Sequence, residues 1–503
     1  MGRDNIIMII TLGTRDVKLD DKYFNQIEIC QEYDDLKDAF YKSRDKLILS
    51  ERLGGKLIYD EYDKYKDRLT FPIVEPMLNN VLNFEKQINY IYIVTTDQND
   101  EKHRINDSIY FGYIIQKYLK NNPKIKCNDI LLKQVGGNVS NLGDMNEYFK
   151  NFYNKYFKLY TENSKLYIAN TGGIDAINIS ILINGIMKFE NNCVNLYLDK
   201  EKRIAYPINF VSSFMLDFDK LKLKSLLNNY DYVSSLTIVN SHKSLKKFGV
   251  LIEIAKNRLY FNLDECKKIC NKYLQEEIEN NYIIKEVKAN LLQIEGMDNN
   301  LSECVKELYI NARIKFIQEQ YVDFLLRIFR LEEAIYNCMI KNYMELPVDD
   351  NSNSNSKKLT DKILENKYMV QYFDSYNVEG SNKKLEWRNR YNIKILYTVI
   401  SYIINVNKSV IGEALIEDLG VLGRFKKVFE LGEMLNCLSQ LRNKSIGAHG
   451  FQGVSKKKLE DTLMDKCKIN INKIFEIIEE VVKIQFKDSW YEKINGLIIN
   501  NLK

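Results

Sequence analysis

Short apolar runs recur through residues 1–212, at Ile6–Leu12, Tyr90–Thr95, Asp129–Val135, Lys165–Ala169 and Cys193–Leu198. Each has the length of a buried strand. Between them, apolar residues return at helical spacing over Phe71–Phe84, Asp107–Leu119, Met145–Leu159 and Ile174–Lys188. Strands alternating with helices predict a mostly parallel sheet covered by helices. From about Leu216 the strand signal fades, apart from a strand or hairpin pattern near Val250–Phe261. Helical periodicity then dominates: one long amphipathic run over Ser302–Glu345, then helices at Leu359–Tyr372, Asn389–Asn405, Lys426–Ile446 and Ser455–Phe486. The polar tract Asp349–Ser356 interrupts the pattern and reads as a mobile loop over 349–357. The chain therefore divides into an α/β domain (1–212), a mainly helical connector (213–300) and an all-α domain (301–503).

Composition narrows the class without naming a function. Of 503 residues 45% are hydrophobic and 28% charged, as in globular proteins, and this length favours two or three domains. A net charge of +5 is small for this length, so any nucleic-acid surface must be local. The nine cysteines are scattered and odd in number, which argues against a disulfide framework and for a reducing, cytoplasmic setting. Cys266 and Cys270 stand one helical turn apart with only His242 nearby, too few ligands for structural zinc. The run Ile6–Ile10 is too short for a signal peptide, and Ile393–Val406 is interrupted by Lys394 and Asn405, so no membrane segment is expected.

Three loops after candidate strands carry small or hydrogen-bonding residues: Thr11-Leu12-Gly13-Thr14-Arg15-Asp16, Thr95-Thr96-Asp97-Gln98-Asn99 and Asn170-Thr171-Gly172-Gly173. Val135-Gly136-Gly137-Asn138 is a fourth candidate. Ligands of doubly wound sheets bind at the carboxyl ends of the strands. Glycines there admit a ligand to the backbone, and the start of the Ile174 helix offers free N–H groups to a phosphate. The plainer reading of any one loop is a tight βα turn. Neither a dinucleotide-binding G-x-G-x-x-G nor a P-loop occurs, which disfavours dehydrogenases and P-loop NTPases.

In the helical half, Arg442-Asn443-Lys444-Ser445-Ile446-Gly447-Ala448-His449 contains one of only three histidines in the chain. Residues i and i+7 of a helix lie roughly 20° apart around its axis, so a helix persisting that far would put Arg442 and His449 on one face. A fixed guanidinium and an imidazole titrating near neutrality are the groups needed to cut RNA without a metal. The plainer reading is a C-terminal histidine on the helix dipole beside an unrelated arginine. The cluster Arg327–Glu333 reads as a salt-bridged helix face, or as a neighbour that orients this motif.

Arg442-Asn443…His449 resembles the R-x(4–6)-H motif of HEPN ribonucleases, and Gly13-Thr14-Arg15-Asp16, Thr96-Asp97-Gln98 and Thr171-Gly172-Gly173 resemble the nucleotide-sensing loops of CARF domains. CARF, helical linker and HEPN is the order in the accessory ribonucleases of type III CRISPR systems (the Csm/Csx class). The resemblance implies a Rossmann-like CARF domain and an all-α HEPN domain. It implies a homodimer in which two HEPN motifs make one composite site, with Arg442, Asn443 and His449 catalytic. It implies a cyclic oligoadenylate activator, held by Thr11, Gly13, Thr14, Arg15, Thr96, Asp97, Gln98, Asn170, Thr171, Gly172 and Gly173. The implied reaction is metal-free cleavage of single-stranded RNA, with no cofactor and no stable association with the CRISPR effector complex. Three alternatives stay open: a nucleotide-responsive regulator that cuts nothing, a CARF-like sensor on a metal-dependent DNA nuclease, and a toxin-type HEPN nuclease acting on transfer RNA.

Overall fold

The structure is a computed structural model that describes residues 5–13, 15–19, 40–43, 46–49, 51–157, 163–199, 201–275, 281–346, 352–377, 384–388, 391–411 and 420–502. It divides into two compact units, residues 1–219 and 220–503, and the Phe210–Asn228 helix carries the chain from one to the other.

The first unit is built on a six-stranded sheet. We number its strands β1 (Ile6–Thr11), β2 (Tyr90–Thr96), β3 (Asp129–Val135), β4 (Lys165–Ala169), β5 (Cys193–Asp199) and β6 (Ile204–Ile208). Their spatial order is β6-β5-β4-β1-β2-β3, parallel except for the β5–β6 pair. Five strands lie where the apolar runs place them. The sixth, edge strand was missed because its sequence, IAYPI, is mostly exposed and carries a proline, which an edge tolerates.

The alternation of β1 explains the layering. Met8 and Ile10 enter one core with Val74, Met77 and Val81 of the Val74–Phe84 helix and Phe111 and Ile114 of the Ile109–Asn121 helix. Ile7 and Ile9 enter the other, with Phe149 and Phe152 of the Leu142–Tyr156 helix and Ile177 and Ile181 of the Asp175–Phe189 helix. Strands with both faces buried read as continuous apolar runs. The chain builds β1, β2 and β3 outward in one direction, then returns to place β4 on the other side of β1. The crevice between β1 and β4 is the topological switch point.

Among its described residues, the regular elements of the second unit are all helices. Five expectations need correction. Val250–Phe261 is no hairpin but the Gly249–Leu259 helix and the turn after it, buried nearly all round, which erases the amphipathic signal. The run Ser302–Glu345 is two helices, Leu301–Ile317 and Tyr321–Met344, broken where Glu319 adopts a positive φ. The tract expected as a mobile loop is helical from Ser352, with Asn355 and Ser356 buried; positions 347–351 lie outside the described residues. The span Ser455–Phe486 contains two helices, Lys456–Cys467 and Ile471–Val482, separated by left-handed Lys468 and restarted by the Asn470 cap. Likewise Asn366 starts a second helix inside the expected Leu359–Tyr372, capping Tyr368 and Met369.

A buried ion pair ties this unit together. Arg258 donates to Glu307 at 2.9 and 2.6 Å and to Asn290 at 2.7 Å, and Tyr491 donates to Glu307 at 2.7 Å. Cys266 and Cys270 are buried beside it; Cys266 donates to the Ile254 carbonyl and Asn290 donates to the Cys270 sulfur. No group of three metal-ligating residues occurs among the described residues.

Candidate functional sites

At the β1/β4 switch point the loops meet backbone to backbone. A Cβ on Gly13 would stand 2.7 Å from the Gly173 nitrogen, and one on Gly172 would stand 2.6 Å from an Asp16 carboxylate oxygen. Only glycine allows this approach, and Gly173 also holds a φ of +86°. The Thr11 hydroxyl donates to the Gly172 carbonyl at 2.8 Å, as does the Asn178 side chain at 2.8 Å. Asp16 accepts from the Gly13 N–H at 2.6 Å, and its second carboxylate oxygen is buried with no hydrogen-bond partner. Burial pushes the Asp16 carboxyl up to about 7, partly opposed by the Gly13 hydrogen bond. Arg15 is exposed, Asn170 and Thr171 are half-buried, and Thr14 lies outside the described residues. The Asp175–Phe189 helix has no side-chain cap on its first N–H groups, although Asp175 brings negative charge to its first turn.

The β2 loop is built differently. Thr96 and Ser108 lock each other, each hydroxyl accepting from the other's backbone N–H at 3.2 Å, so the Thr96 hydroxyl is occupied structurally. Asp107, fully buried, accepts from the Gln98 backbone at 2.6 Å and from its side chain at 3.0 Å. Arg52 bridges Asp97 at 2.9 Å and Asp107 at 3.3 Å. Sequence reasoning missed Arg52 and Asp107. The signal was the adjacent Gly54-Gly55 pair: a Cβ on Gly55 would stand 3.0 Å from the Phe111 ring, so the glycine lets this helix approach the sheet unit's core. Gly136, after β3, backs onto the Asp97 carbonyl, 3.3 Å from where its Cβ would stand.

In the helical unit the expected Lys426–Ile446 helix is two, Gly420–Asn436 and Ser439–Lys444. Arg442 and His449 therefore do not share a helical face. The helix stops because Ser445 turns to an extended backbone and its buried hydroxyl donates to the Arg442 carbonyl at 2.7 Å, satisfying a group the helix end leaves open. The chain then folds back: His449 N–H donates to the Asn443 carbonyl at 3.3 Å and Gln452 N–H to the Lys444 carbonyl at 2.9 Å. A tight turn, rather than the helix, returns His449 to the arginine end. Two glycines shape it. A Cβ on Gly450 would stand 2.1 Å from the Lys444 carbonyl oxygen, and one on Gly447 would stand 2.8 Å from both Val322 and Leu326.

Arg442 is half-buried, with Asn443 and His449 exposed. Its guanidinium lies 4.2 Å above the Phe329 ring and donates twice to the Asn443 side-chain oxygen, at 3.1 and 2.9 Å. The Arg327–Glu333 cluster thus divides: Arg330 pairs with Glu333 at 2.7 Å, Arg327 bonds Asn311, and the face turned to Arg442 presents Phe329 and Glu332. Burial raises the Glu332 carboxyl to about 7, opposed by the Tyr336 hydroxyl, which donates to it at 2.8 Å, and by the Arg442 charge. Gly432 leaves room for that hydroxyl; a Cβ there would stand 2.1 Å from it. Cys437 and Cys467 form a disulfide, contrary to the expectation from cysteine spacing, because the fold brings the residue after one helix against the last residue of another.

A parallel-sheet unit with glycine-lined loops at its switch point, followed by a helical unit with an Arg…His turn, is the architecture expected from the CARF–HEPN resemblance. Among solved structures, the chain is similar to Enterococcus italicus Csm6 bound to cyclic hexa-2′-fluoro-hexa-dAMP, at 13% identity over 99% of each chain with a TM-score of 0.50. That likeness shows the fold along both units. No family model and no curated protein matches the sequence. Among the described residues no helix is long and apolar enough to cross a membrane.

Proposed function

We propose that this chain is a cyclic-oligoadenylate-activated, metal-independent endoribonuclease of type III CRISPR defence that cuts single-stranded RNA as a homodimer. The observation that carries this reading is the turn that returns His449 to the Arg442–Asn443 helix end, in a chain whose fold matches Csm6 along its whole length. The substrate's 2′-hydroxyl attacks the adjacent phosphorus, giving a 2′,3′-cyclic phosphate and a free 5′-hydroxyl. Arg442 neutralises charge on the phosphoryl oxygens, and Phe329 holds the guanidinium without a competing carboxylate bond. His449 moves the proton, a role that contributes roughly 10²–10⁴-fold. Asn443 sets the guanidinium plane through its side-chain oxygen. One arginine and one histidine per chain make half a site, and a twofold partner completes it.

The activator binds at the sheet unit, on the loops after β1 and β4 that carry Gly13, Arg15, Asn170, Thr171, Gly172 and Gly173. It must prefer the active arrangement to the inactive one, since equal affinity shifts nothing. The E. italicus protein was bound to a six-membered ring analogue, so cyclic hexa-adenylate is the first activator to test. Cyclic tri-, tetra- and hexa-adenylate are each added to the protein with a fluorescent single-stranded RNA in EDTA. Cleavage with one ring, abolished in His449→Ala, is expected. Intact RNA with all three rings would overturn the reading and leave a regulator that cuts nothing.

A further inference from the structure

The helical unit contains a polar cavity that no part of this reading uses. It measures about 300 Å³ and lies among the last turn of the Gly249–Leu259 helix, the loop 229–231 and the corner joining the Leu301–Ile317 and Tyr321–Met344 helices. Lys315 lines it with only 7% of its surface exposed. The ammonium donates to the side-chain oxygens of Gln318 at 3.2 Å and Gln320 at 2.7 Å. The amide of Gln318 is fixed in that sense, because its nitrogen donates to the carbonyls of Asn229 and Tyr230 at 3.3 and 3.0 Å. An ammonium has three donors, so one remains for a ligand. Among the described residues no carboxylate forms an ion pair with Lys315. A buried ammonium whose direct hydrogen-bond partners are two amides and no carboxylate is costly, and an apolar side chain would fill the space at less expense.

The other walls specify the missing partner. Lys256 adds a second cation, and Tyr260, 60% exposed, offers an aromatic face. The one carboxylate in the lining, Asp231, is engaged: one oxygen accepts from the Ser234 N–H at 3.0 Å and the other from its hydroxyl at 2.7 Å. Burial and the charge of nearby Arg327 both lower the Lys315 pKa, while Asp323 opposes them. A cavity of about 300 Å³ exceeds the needs of a lone phosphate and suits a ligand near the small end of the usual range. Two cations with an exposed aromatic ring match a phosphate joined to a stacking base.

We propose that this cavity binds a nucleoside monophosphate unit, its phosphate on Lys315 and Lys256 and its base against Tyr260, either as a free nucleotide or as the phosphorylated end of a strand. The proposal does not depend on the ribonuclease reading, and its test reads binding directly. The full chain is titrated calorimetrically with adenosine 5′-monophosphate, with inorganic phosphate, and with a short 5′-phosphorylated deoxyoligonucleotide, which lacks the 2′-hydroxyl and stays intact. The same titrations are run on Lys315→Met, Lys256→Ala and Tyr260→Ala. Saturable binding of the monophosphate is expected, weakened at least tenfold by Lys315→Met and several-fold by each of the other two. Phosphate alone should bind more weakly and be indifferent to Tyr260→Ala. Tighter binding of the oligonucleotide assigns the site to a strand end, and equal or weaker binding to a free nucleotide. Lys256 and Tyr260 lie at the rim, so those variants keep the test decisive if Lys315→Met fails to fold. Absent binding, or binding unaffected by Tyr260→Ala and Lys256→Ala, overturns the proposal.

Discussion

The two candidate sites are held by opposite means. In the sheet unit the backbone makes the site: Gly13, Gly172 and Gly173 touch through main-chain atoms, and the nearest charged side chain, Asp16, is sealed beneath them. In the helical unit side chains make it. Arg442 rests on an aromatic ring, and His449 stands exposed on a turn with only its backbone tied down. The first arrangement leaves little freedom and suits a ligand that must find a preformed surface. The second leaves Asn443 and His449 exposed to solvent, as the proposed composite site requires. Removing a side chain should therefore be decisive in the helical unit, and adding one should be decisive in the sheet unit.

The largest effect tests the first half of that contrast. His449→Ala and Arg442→Ala should each lower RNA cleavage by roughly 10²-fold or more. Activator affinity, measured by titration with cyclic oligoadenylate, should stay unchanged. A loss of affinity in either variant would tie the two sites together in the resting chain.

The complementary change is Gly172→Ala. Its new methyl would meet Asp16 and the Gly13 backbone, where nothing flexible can yield, and overpacking of this kind costs about 1–3 kcal/mol. Activator binding should fall steeply while residual, activator-independent cleavage persists. Unaltered binding would mean that the loops adjust and the backbone contact is not what shapes the site.

Asp16 offers a pH test. Its carboxyl titrates near 7 in the folded chain against 3.8 for a free side chain, so the fold disfavours its ionised form. The stability it confers is complete below the unfolded value and is lost as pH rises through about 7. Asp16→Asn keeps an oxygen for the Gly13 N–H and does not titrate. It should raise the melting temperature relative to the parent chain at pH 8, by an amount equivalent to a few kcal/mol at most, and much less at pH 5. Equal shifts at both pH values would show that Asp16 is not held near neutrality.

The smallest expected effect is at Phe329. Phe329→Leu keeps the packing and removes the ring under Arg442, worth about 0.5–2 kcal/mol as a cation–π contact. Cleavage should fall several-fold through kcat with KM nearly unchanged.

How much of this was legible in the sequence differs between the units for one reason. Parallel strands buried on both faces announce themselves as apolar runs, so five of six sheet strands and the loops at their ends could be read directly. Glycine spacing also marked the switch-point loops, because only close backbone approach needs it. The helical unit hid its breaks. Glu319, Lys468 and Ser445 end helices through left-handed backbone or a local side-chain bond, with no proline to mark them. Arg442 and His449 were found by residue type, but their geometry was misread, since the turn depends on Gly450 fitting against Lys444. Arg52 and Asp107 escaped because their partnership spans 55 residues, which no local pattern records. Within Arg327–Glu333 the charges drew attention, while the apolar Phe329 supplies the ring on which Arg442 rests.

The Cys437–Cys467 bond has a topological consequence. It closes a ring of chain with 30 residues of separation, and both Arg442 and His449 lie inside that ring. A protease that nicks the turn between Ile446 and Phe451 would produce two fragments that still migrate as one until reductant is added. The cut ends would stay tethered on either side of the motif, a lasso opened at its tip but still knotted at its base.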